Sequence, residues 1–395
     1  MNFDTLGLHP ALLRGVRDLG FTEPTPIQRD AIPIVLDGKD LLACAMTGSG
    51  KTAGFMLPIL DRLLGSNGNG PRVLIVTPTR ELASQIAGDM AKLAAHTRLS
   101  GATIFGGVGM KPQERAFRHG NDVIVATPGR LLDHLQYSYA RLDSIEVLVL
   151  DEADRMLDMG FLPDVRRILK HLPKRRQTLF FSATMPPPIA KLSREMLFEP
   201  VSISVDRKSA PAEGVRHRVF QVEQTEKSRL LLQILRQHEV GSVLAFTRTK
   251  HRANRLAKFL EQNGVAAERI HGNRSQAQRE KALAAFKQGR ARILVATDIA
   301  ARGIDITDLS HVINFDVPRA VEDYIHRVGR TARAGKSGDA FTFVAPDERS
   351  EFRVIERSLE QALGRRLERE RPAVAGAFAP KRNRRRGARG RTAVA

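Results

Sequence analysis

The sequence holds a single cysteine, Cys44, in 395 residues. One thiol cannot close an intramolecular disulfide, so such a cross-link is excluded as a source of stability, and the scarcity fits a reducing compartment. Cys44 ends the apolar stretch Leu41-Leu42-Ala43-Cys44, where a thiol is expected to serve as a small hydrophobe in a buried strand. No run of about 20 apolar residues is present, the length a membrane-crossing helix needs. Met1-Asn2-Phe3-Asp4 shows no basic segment leading into an apolar one, so no secretory signal and a cytoplasmic location are expected. Acidic residues are also short: 43 Asp and Glu against 63 Lys and Arg, a formal net charge of +20. A surplus of that size points first to a polyanion such as nucleic acid. The long basic amphipathic helix that would suit an anionic membrane surface is not seen.

Hydrophobic residues make up 42% of the chain, enough for ordinary globular cores. At about 100–200 residues per domain, the length suggests two domains or three. Short apolar runs recur at Val73–Val76, Val123–Ala126, Val147–Leu150, Val243–Phe246, Ile293–Ala296 and Val312–Phe315, separated by helical patterns such as Arg80–Leu93 and Lys250–Gln262. Apolar strands alternating with helices predict an α/β fold with parallel sheets covered on both faces. Two pairs of segments echo each other. Leu74–Arg80 resembles Val243–Thr249, and Ile124–Pro128 resembles Leu294–Asp298; each is an apolar strand followed by Thr and polar residues. The repetition suggests a duplicated fold whose strand ends face a shared ligand, since open α/β sheets bind ligands beyond the carboxyl ends of their strands. The expected division is a first domain over 1–207, a linker over 208–216, a second domain over 217–365 and a tail over 366–395. In that tail, Lys381 to Arg391 carries seven Lys and Arg in eleven residues and no acid. Such a block is expected to be disordered and to grip phosphates without sequence preference.

Ala45-Met46-Thr47-Gly48-Ser49-Gly50-Lys51-Thr52 lies between an apolar strand and a helical pattern. This is a P-loop: Gly48 and Gly50 let the backbone curl so that N–H groups point at phosphates, and the helix N-terminus adds a favourable dipole. Lys51 would reach the β- and γ-phosphates and Thr52 would ligate Mg²⁺. Asp151-Glu152-Ala153-Asp154 follows the strand Val147–Leu150. Beside a P-loop, Asp151 is the expected magnesium partner, and Glu152 would orient and deprotonate the attacking water; taken alone, an acidic turn there could be a helix cap. In His326-Arg327-Val328-Gly329-Arg330-Thr331-Ala332-Arg333, three arginines spaced three apart would share one face of a helix. They read either as a salt-bridging face or as arginine fingers reaching the phosphates from the other domain.

Taken in order and spacing, these motifs resemble the DEAD-box RNA helicase family of superfamily 2, over roughly residues 1–365. Gly20–Gln28, with Phe3 upstream, resembles its Q motif. Pro78–Ala83, Gly106-Gly107 and Thr127-Pro128-Gly129-Arg130 resemble RNA-binding motifs of its first domain, and Ser182-Ala183-Thr184 the motif coupling hydrolysis to unwinding. Ala296–Asp305 and the His326 segment resemble the last two motifs of the second domain. Arg155–Phe161 and Ile270–Asn273 look closest to the bacterial RhlE subgroup.

The resemblance implies two RecA-like P-loop domains with parallel sheets in tandem. It implies ATP and Mg²⁺ as cofactors and RNA, single-stranded or in short duplex, as a partner read largely without regard to sequence. Phe21 would stack on the base, and Gln28 would pair with adenine N6 and N7. Thr47, Gly48, Ser49, Gly50, Lys51, Thr52 and Asp305 would complete the nucleotide site. Pro78, Thr79, Arg80, Gly106, Gly107, Thr127, Pro128, Gly129, Arg130, Thr247, Arg248 and Thr297 would hold RNA phosphates and 2′-hydroxyls. Asp154, Ser182, Thr184 and His326 would couple the sites. Arg330 and Arg333 would be the fingers, with Arg327 more structural. Ala332 stands where the family usually has Gly, a change a helical site should tolerate. Ribosomal precursor or RNA-decay assemblies fit the family as partners. The implied activity is local, RNA-stimulated, ATP-dependent duplex unwinding. An ATP-gated RNA clamp with little unwinding is the alternative, against which the intact Glu152, Ser182, Thr184, Arg330 and Arg333 argue. A DNA helicase is a third reading that charge alone does not separate.

Overall fold

Runs of Val, Ile and Leu that are apolar on both faces need cover on both sides, and helices returning between parallel strands supply it. The computed structural model describes residues 2–45, 48–65, 68, 70–204, 214–236, 240–301, 304, 306, 309–332, 337–364 and 366–370. In the N-terminal half the strands are β1 Leu41–Cys44, β2 Val73–Val76, β3 Gly101–Ile104, β4 Val123–Ala126, β5 Val147–Leu150, β6 Gln177–Ser182 and β7 Val201–Ser204. They form one parallel sheet in the order β3-β4-β2-β5-β6-β1-β7. In the C-terminal half, β8 Val215–Gln221, β9 Val243–Thr247, β10 Ala267–Ile270, β11 Ile293–Thr297, β12 His311–Asn314, β13 Gly338–Val344 and β14 Glu368–Glu370 form a second. Its order is β10-β11-β9-β12-β13-β8-β14, again parallel throughout.

Laid side by side, the two orders match position for position. β2 falls with β9 and β4 with β11, the two pairs whose sequences echo each other. The inner strands β2, β4, β5 and β6 are buried along their whole length, whereas the edge strand β7 alternates. The helix Lys51–Leu64 is itself buried nearly all round, with Phe55, Met56, Leu57 and Leu60 fully inaccessible. Each such side chain contributes about 1.5–3 kcal/mol when removed from water, so the helix that carries Lys51 and Thr52 is a fixed part of the core. Among the described residues, no helix is long and apolar enough to cross a membrane.

Three expectations are revised. The linker expected over 208–216 runs too far: residues 205–213 lie outside the described residues, but β8 already begins at Val215, paired with Gly338. The tail expected from 366 begins later, because β14 adds in parallel to β8 and its flank is pinned by Arg218–Glu370 at 3.0 Å and Arg369–Glu356 at 2.9 Å. No apolar run announces that strand; backbone pairing to an existing edge makes it. The basic block Lys381–Arg391 lies outside the described residues. Cys44 is half-buried rather than buried, and its thiol donates to the Ala183 carbonyl at 3.6 Å.

Candidate functional site

Chain leaving the carboxyl ends of β1 to β6 supplies almost every candidate residue of the first domain, Phe21 and Gln28 apart. After β1 the backbone turns through Gly48 and Gly50, at φ 85° and 92°, into the helix Lys51–Leu64. Glycine is doubly required at 50: the angle is left-handed, and a Cβ would lie 2.6 Å from Gln28 Nε2. The turn leaves the first N–H groups of the helix pointing outward, ready for an anion. The cavity in front, about 240 Å³, is lined by Phe21, Gln28, Gly48, Gly50, Lys51 and Thr52. Thr47 lies outside the described residues. Gln28 is buried; its Oε1 accepts from Thr25 N at 2.9 Å and its Nε2 donates to Gly50 O at 3.0 Å. An amide has a second lone pair and a second N–H, so the same group can tie the loop to the helix Pro26–Leu36 and still offer a donor–acceptor fork. The Phe21 ring is 41% exposed and stacks at 6.5 Å on Phe3.

Asp151 and Glu152 line the same cavity. Lys51 Nζ donates to Ala45 O at 3.2 Å and stands 3.6 Å from Asp151 Oδ1. Burial pushes the Asp151 carboxyl up to about 6; the neighbouring Glu152 carboxylate adds to the shift, and the Lys51 ammonium opposes it. Asp151 Oδ1 is buried without a hydrogen-bond partner. A buried carboxylate oxygen so placed, with the Thr52 hydroxyl on the same cavity, is a fit for a hard divalent cation, which takes oxygen donors and uses one or two protein groups plus phosphates and water. Among the described residues no cluster of three or more His, Cys, Asp or Glu forms a cage of its own. Glu152 adopts a left-handed backbone, φ 55°, a conformation costing about 1–3 kcal/mol in a non-glycine residue. Its Oε2 lies 3.2 Å from Arg155, with both groups buried.

Two residues on, Asp154 accepts from Thr184 N at 2.8 Å and Thr184 Oγ1 at 3.0 Å, while its own N–H donates to Ser182 Oγ at 3.2 Å. Ser182 Oγ in turn donates to Thr184 O at 2.6 Å. The turn after β5 and the end of β6 are therefore one hydrogen-bonded unit. His326, from the second domain, packs against it. Burial, then the Arg155 cation, push the imidazole down to about 4, against the pull of Asp154 and Glu152, so it is neutral near pH 7.

Arg327 is an internal clamp. It forks onto Asp298 at 2.6 and 2.8 Å and reaches Asn314 Oδ1 at 3.0 Å and Asp316 O at 2.8 Å. The helix carrying it, Val321–Val328, stops short of the next two arginines. The expectation of one helical face bearing all three is therefore wrong. The chain turns, Arg330 NH1 donates to Ile304 O at 2.8 Å, and Arg330 lines the cavity that holds Lys51 and Glu152. Asp305 and Arg333 lie outside the described residues.

Ala332 is not helical either: its φ is 54°, which explains why glycine would be usual there. A left-handed alanine costs about 1–2 kcal/mol. Its buried methyl returns about 0.8 kcal/mol, and a glycine adds freedom to the unfolded chain worth about 0.4–1 kcal/mol. These terms nearly cancel. Ala332→Gly is expected to move urea-unfolding stability by less than about 1 kcal/mol, and Ala332→Val, β-branched where that shape is a true outlier, to lower it by more than about 2 kcal/mol.

The candidate RNA residues fall into two groups. Thr79 caps the helix Arg80–Leu93, accepting from Leu82 N at 3.3 Å. Arg80 lies over Gly106 and Gly107: a Cβ on Gly107 would come within 1.9 Å of its guanidinium. Thr127 and Pro128 start the helix Pro128–Leu135, whose Arg130 donates to Val108 O at 2.7 Å. Pro78, Thr79, Arg80, Gly106, Thr127, Gly129 and Arg130 border a cavity of about 320 Å³; Gly107 is joined to it through Arg80, and Pro128 is not part of its lining. Thr247, at the end of β9, donates to Thr249 O at 3.4 Å. Arg248 and Thr297 border a separate cavity of about 800 Å³ between the domains, together with Thr184 and His326. Arg248 is held by carboxylates: its guanidinium bonds Glu351 and stands 3.8 Å from Glu348, and its backbone N–H donates to Asp316 Oδ2 at 2.8 Å. Behind it Lys227, fully buried, pairs with Glu348 and lies 3.7 Å from Asp316.

Neither that cluster nor the Arg279–Glu81 pair between the domains, at 2.7 Å, was anticipated. Both partners of the pair are about 10% exposed, and burial raises the Glu81 carboxyl against the pull of Arg279. In sequence Glu81 is only an acid in the first turn of a helix, and no spacing links it to a residue nearly two hundred positions later.

Both halves of the chain match known protein families. Residues 25–192 match the DEAD/DEAH box helicase family and residues 226–335 the helicase conserved C-terminal domain. The chain is similar to the DEAD-box ATP-dependent RNA helicase CshA of Geobacillus kaustophilus, 43% identical over 92% of this chain and 78% of that protein. It is likewise similar to CshA of Bacillus cereus, 42% identical over 92% of this chain and 69% of that one. Among solved structures, S. cerevisiae Dbp5 bound to RNA and ADP BeF3 resembles it with a TM-score of 0.83 and 30% identity, over 94% of this chain and 95% of that one.

Proposed function

The chain belongs to the DEAD-box ATP-dependent RNA helicases, and from that premise we propose how its residues divide the work. The protein binds RNA and couples ATP hydrolysis to local duplex opening. The observation that carries the division of roles is the shared cavity: Lys51, Asp151 and Glu152 of one RecA-like domain and Arg330 of the other line the same 240 Å³. Hydrolysis then requires both domains at once.

In this reading Gln28 and Phe21 select adenine, and the N–H groups after Gly50, with Lys51, hold the β- and γ-phosphates. Asp151 and Thr52 would hold Mg²⁺, which would supply neutralisation of the phosphates' negative charge. Glu152 takes a proton from water as the water oxygen attacks the γ-phosphorus and the bond to the β-phosphate oxygen breaks, yielding ADP and phosphate. Arg330 stabilises the negative charge spread over the transferring group. Neutral His326 against Asp154 links this chemistry to Ser182 and Thr184. Thr79, Arg80, Gly107, Thr127, Arg130, Arg248 and Thr297 grip the strand by its backbone. Binding energy melts the duplex, and turnover releases the strand and allows repetition.

The RhlE-like subgroup rests on the Arg155–Phe161 and Ile270–Asn273 phrases alone, the compared bacterial relatives being CshA proteins. A cytoplasmic location rests on composition.

The test is ATP turnover with single-stranded RNA and with DNA of the same length and sequence. RNA is expected to stimulate turnover at least tenfold more than DNA, because the candidate contacts include 2′-hydroxyls. Equal stimulation would remove the RNA assignment. RNA binding without stimulated turnover would favour a clamp.

A further inference from the structure

On the first domain, away from both RNA cavities, lies an aromatic surface that the mechanism above does not use. Tyr137 and Tyr139 follow the helix Pro128–Leu135, with ring centroids 5.5 Å apart and planes 8° from parallel. Tyr139 is anchored. Its hydroxyl hydrogen-bonds His134 Nδ1 at 2.9 Å, its ring packs on Phe117 at 6.2 Å, and the Arg118 guanidinium lies 5.2 Å from its centroid. Tyr137 lies flat on this base and is 54% exposed. A turn fixes it, with Tyr137 N donating to His134 O at 2.9 Å and Ala140 N donating to Tyr137 O at 3.1 Å.

This turn forms one wall of an open cleft of about 880 Å³; Lys170 and His171 stand on the other wall. Lys174 and Arg175 follow, also exposed. The acids nearby are matched, Asp143 by Arg141 at 3.6 Å and Glu114 by Arg118 at 2.8 Å. Among the described residues, Lys170, His171, Lys174 and Arg175 have no ion-pair partner. A preorganised aromatic face beside unmatched cations is the combination by which single-stranded nucleic acid is held without sequence preference, bases on the rings and phosphates on the charges.

We propose that this surface is an auxiliary single-stranded RNA site, where a base flanking the core-bound segment stacks on Tyr137 and the Lys170 side of the cleft takes its phosphates. The inference rests on the RNA-binding reading of Thr127 to Arg130. Those residues open the helix whose far end leads to Tyr137, and eight helical residues span about 12 Å. A strand leaving Arg130 therefore reaches Tyr137 within a few nucleotides.

The test measures dissociation constants at fixed salt and saturating non-hydrolysable ATP analogue. The probes are a core-length single-stranded RNA and the same RNA extended by a few nucleotides at its 5′ or its 3′ end. One extension is expected to tighten binding on the order of tenfold. Tyr137→Ala should abolish that gain and Tyr137→Phe keep it. Lys170→Glu should reduce it and lessen its salt dependence, while core-length binding stays unchanged in all three. The inference is overturned if neither extension helps the wild type, if Tyr137→Ala keeps the full gain, or if an abasic extension binds as well as a normal one. Failure of even the core-length RNA to bind would be a different result, taking down the core reading and this site together.

Discussion

Arg330→Ala is expected to lower RNA-stimulated kcat by about 10³–10⁵, the range an arginine finger supplies by stabilising charge on a transferring phosphoryl group. The geometry behind the size of that effect is specific. Arg330 leaves the end of the helix Val321–Val328 in a turn, is 6% exposed, and is braced by its bond to Ile304 O. A buried guanidinium acts in a low dielectric and needs little reorganisation as charge develops. Most of the nucleotide's other candidate contacts, Gln28, Lys51 and Thr52 among them, belong to the opposite domain, so the affinity of ATP in the absence of RNA should change by less than about threefold. Arg330→Lys should recover little, since an ammonium lacks the planar fork. Steady-state ATPase with saturating RNA, beside nucleotide binding without RNA, checks both halves. A loss in kcat below tenfold would remove Arg330 from the transition state.

Glu152→Gln is expected to cost about 10²–10⁴ in kcat, the usual contribution of a positioned general base, while ATP-dependent RNA binding persists. The amide has the same shape and keeps one acceptor toward Arg155, which lies 3.2 Å from the carboxylate. Arg155 stays buried with less compensation, so some stability should be lost, but the left-handed turn at 152 is backbone geometry that the substitution leaves alone. Because closure precedes chemistry in this reading, blocked hydrolysis should hold the closed complex and slow RNA release. The check is single-turnover hydrolysis set beside the RNA dissociation rate with ATP. Turnover within a few-fold of wild type would reassign the base. Loss of RNA binding together with turnover would mean that the carboxylate maintains the fold rather than activates water.

Much of this molecule was legible before its structure. Val73–Val76, Val123–Ala126 and Val147–Leu150 are continuous apolar runs, and such runs can hardly be anything but inner strands of a covered parallel sheet. Gly48, Gly50, Lys51 and Thr52 depend on local chemistry, a curled backbone followed by a helix start, and local chemistry is written in consecutive residues. The same holds for Asp151 and Glu152 at a strand end. The misreadings were also local in origin. Spacing of three between Arg327, Arg330 and Arg333 suits a helix only if the helix continues, and Gly329 with left-handed Ala332 stops it. Residues 366–370 show no strand pattern because their pairing energy comes from the open edge of β8.

The order of apolar runs and the composition of the P-loop were thus enough to specify two parallel sheets and the end of each that faces ligand, since strand polarity and backbone curvature follow from short-range sterics. Tertiary structure alone decided which groups meet across the chain: Arg330 with Glu152 at one cavity, His326 against Asp154, Arg279 on Glu81, and Lys227 buried on Glu348 behind Arg248. A charge can be paired and desolvated only by a partner that folding brings within a few ångströms, and no spacing along the sequence encodes that distance.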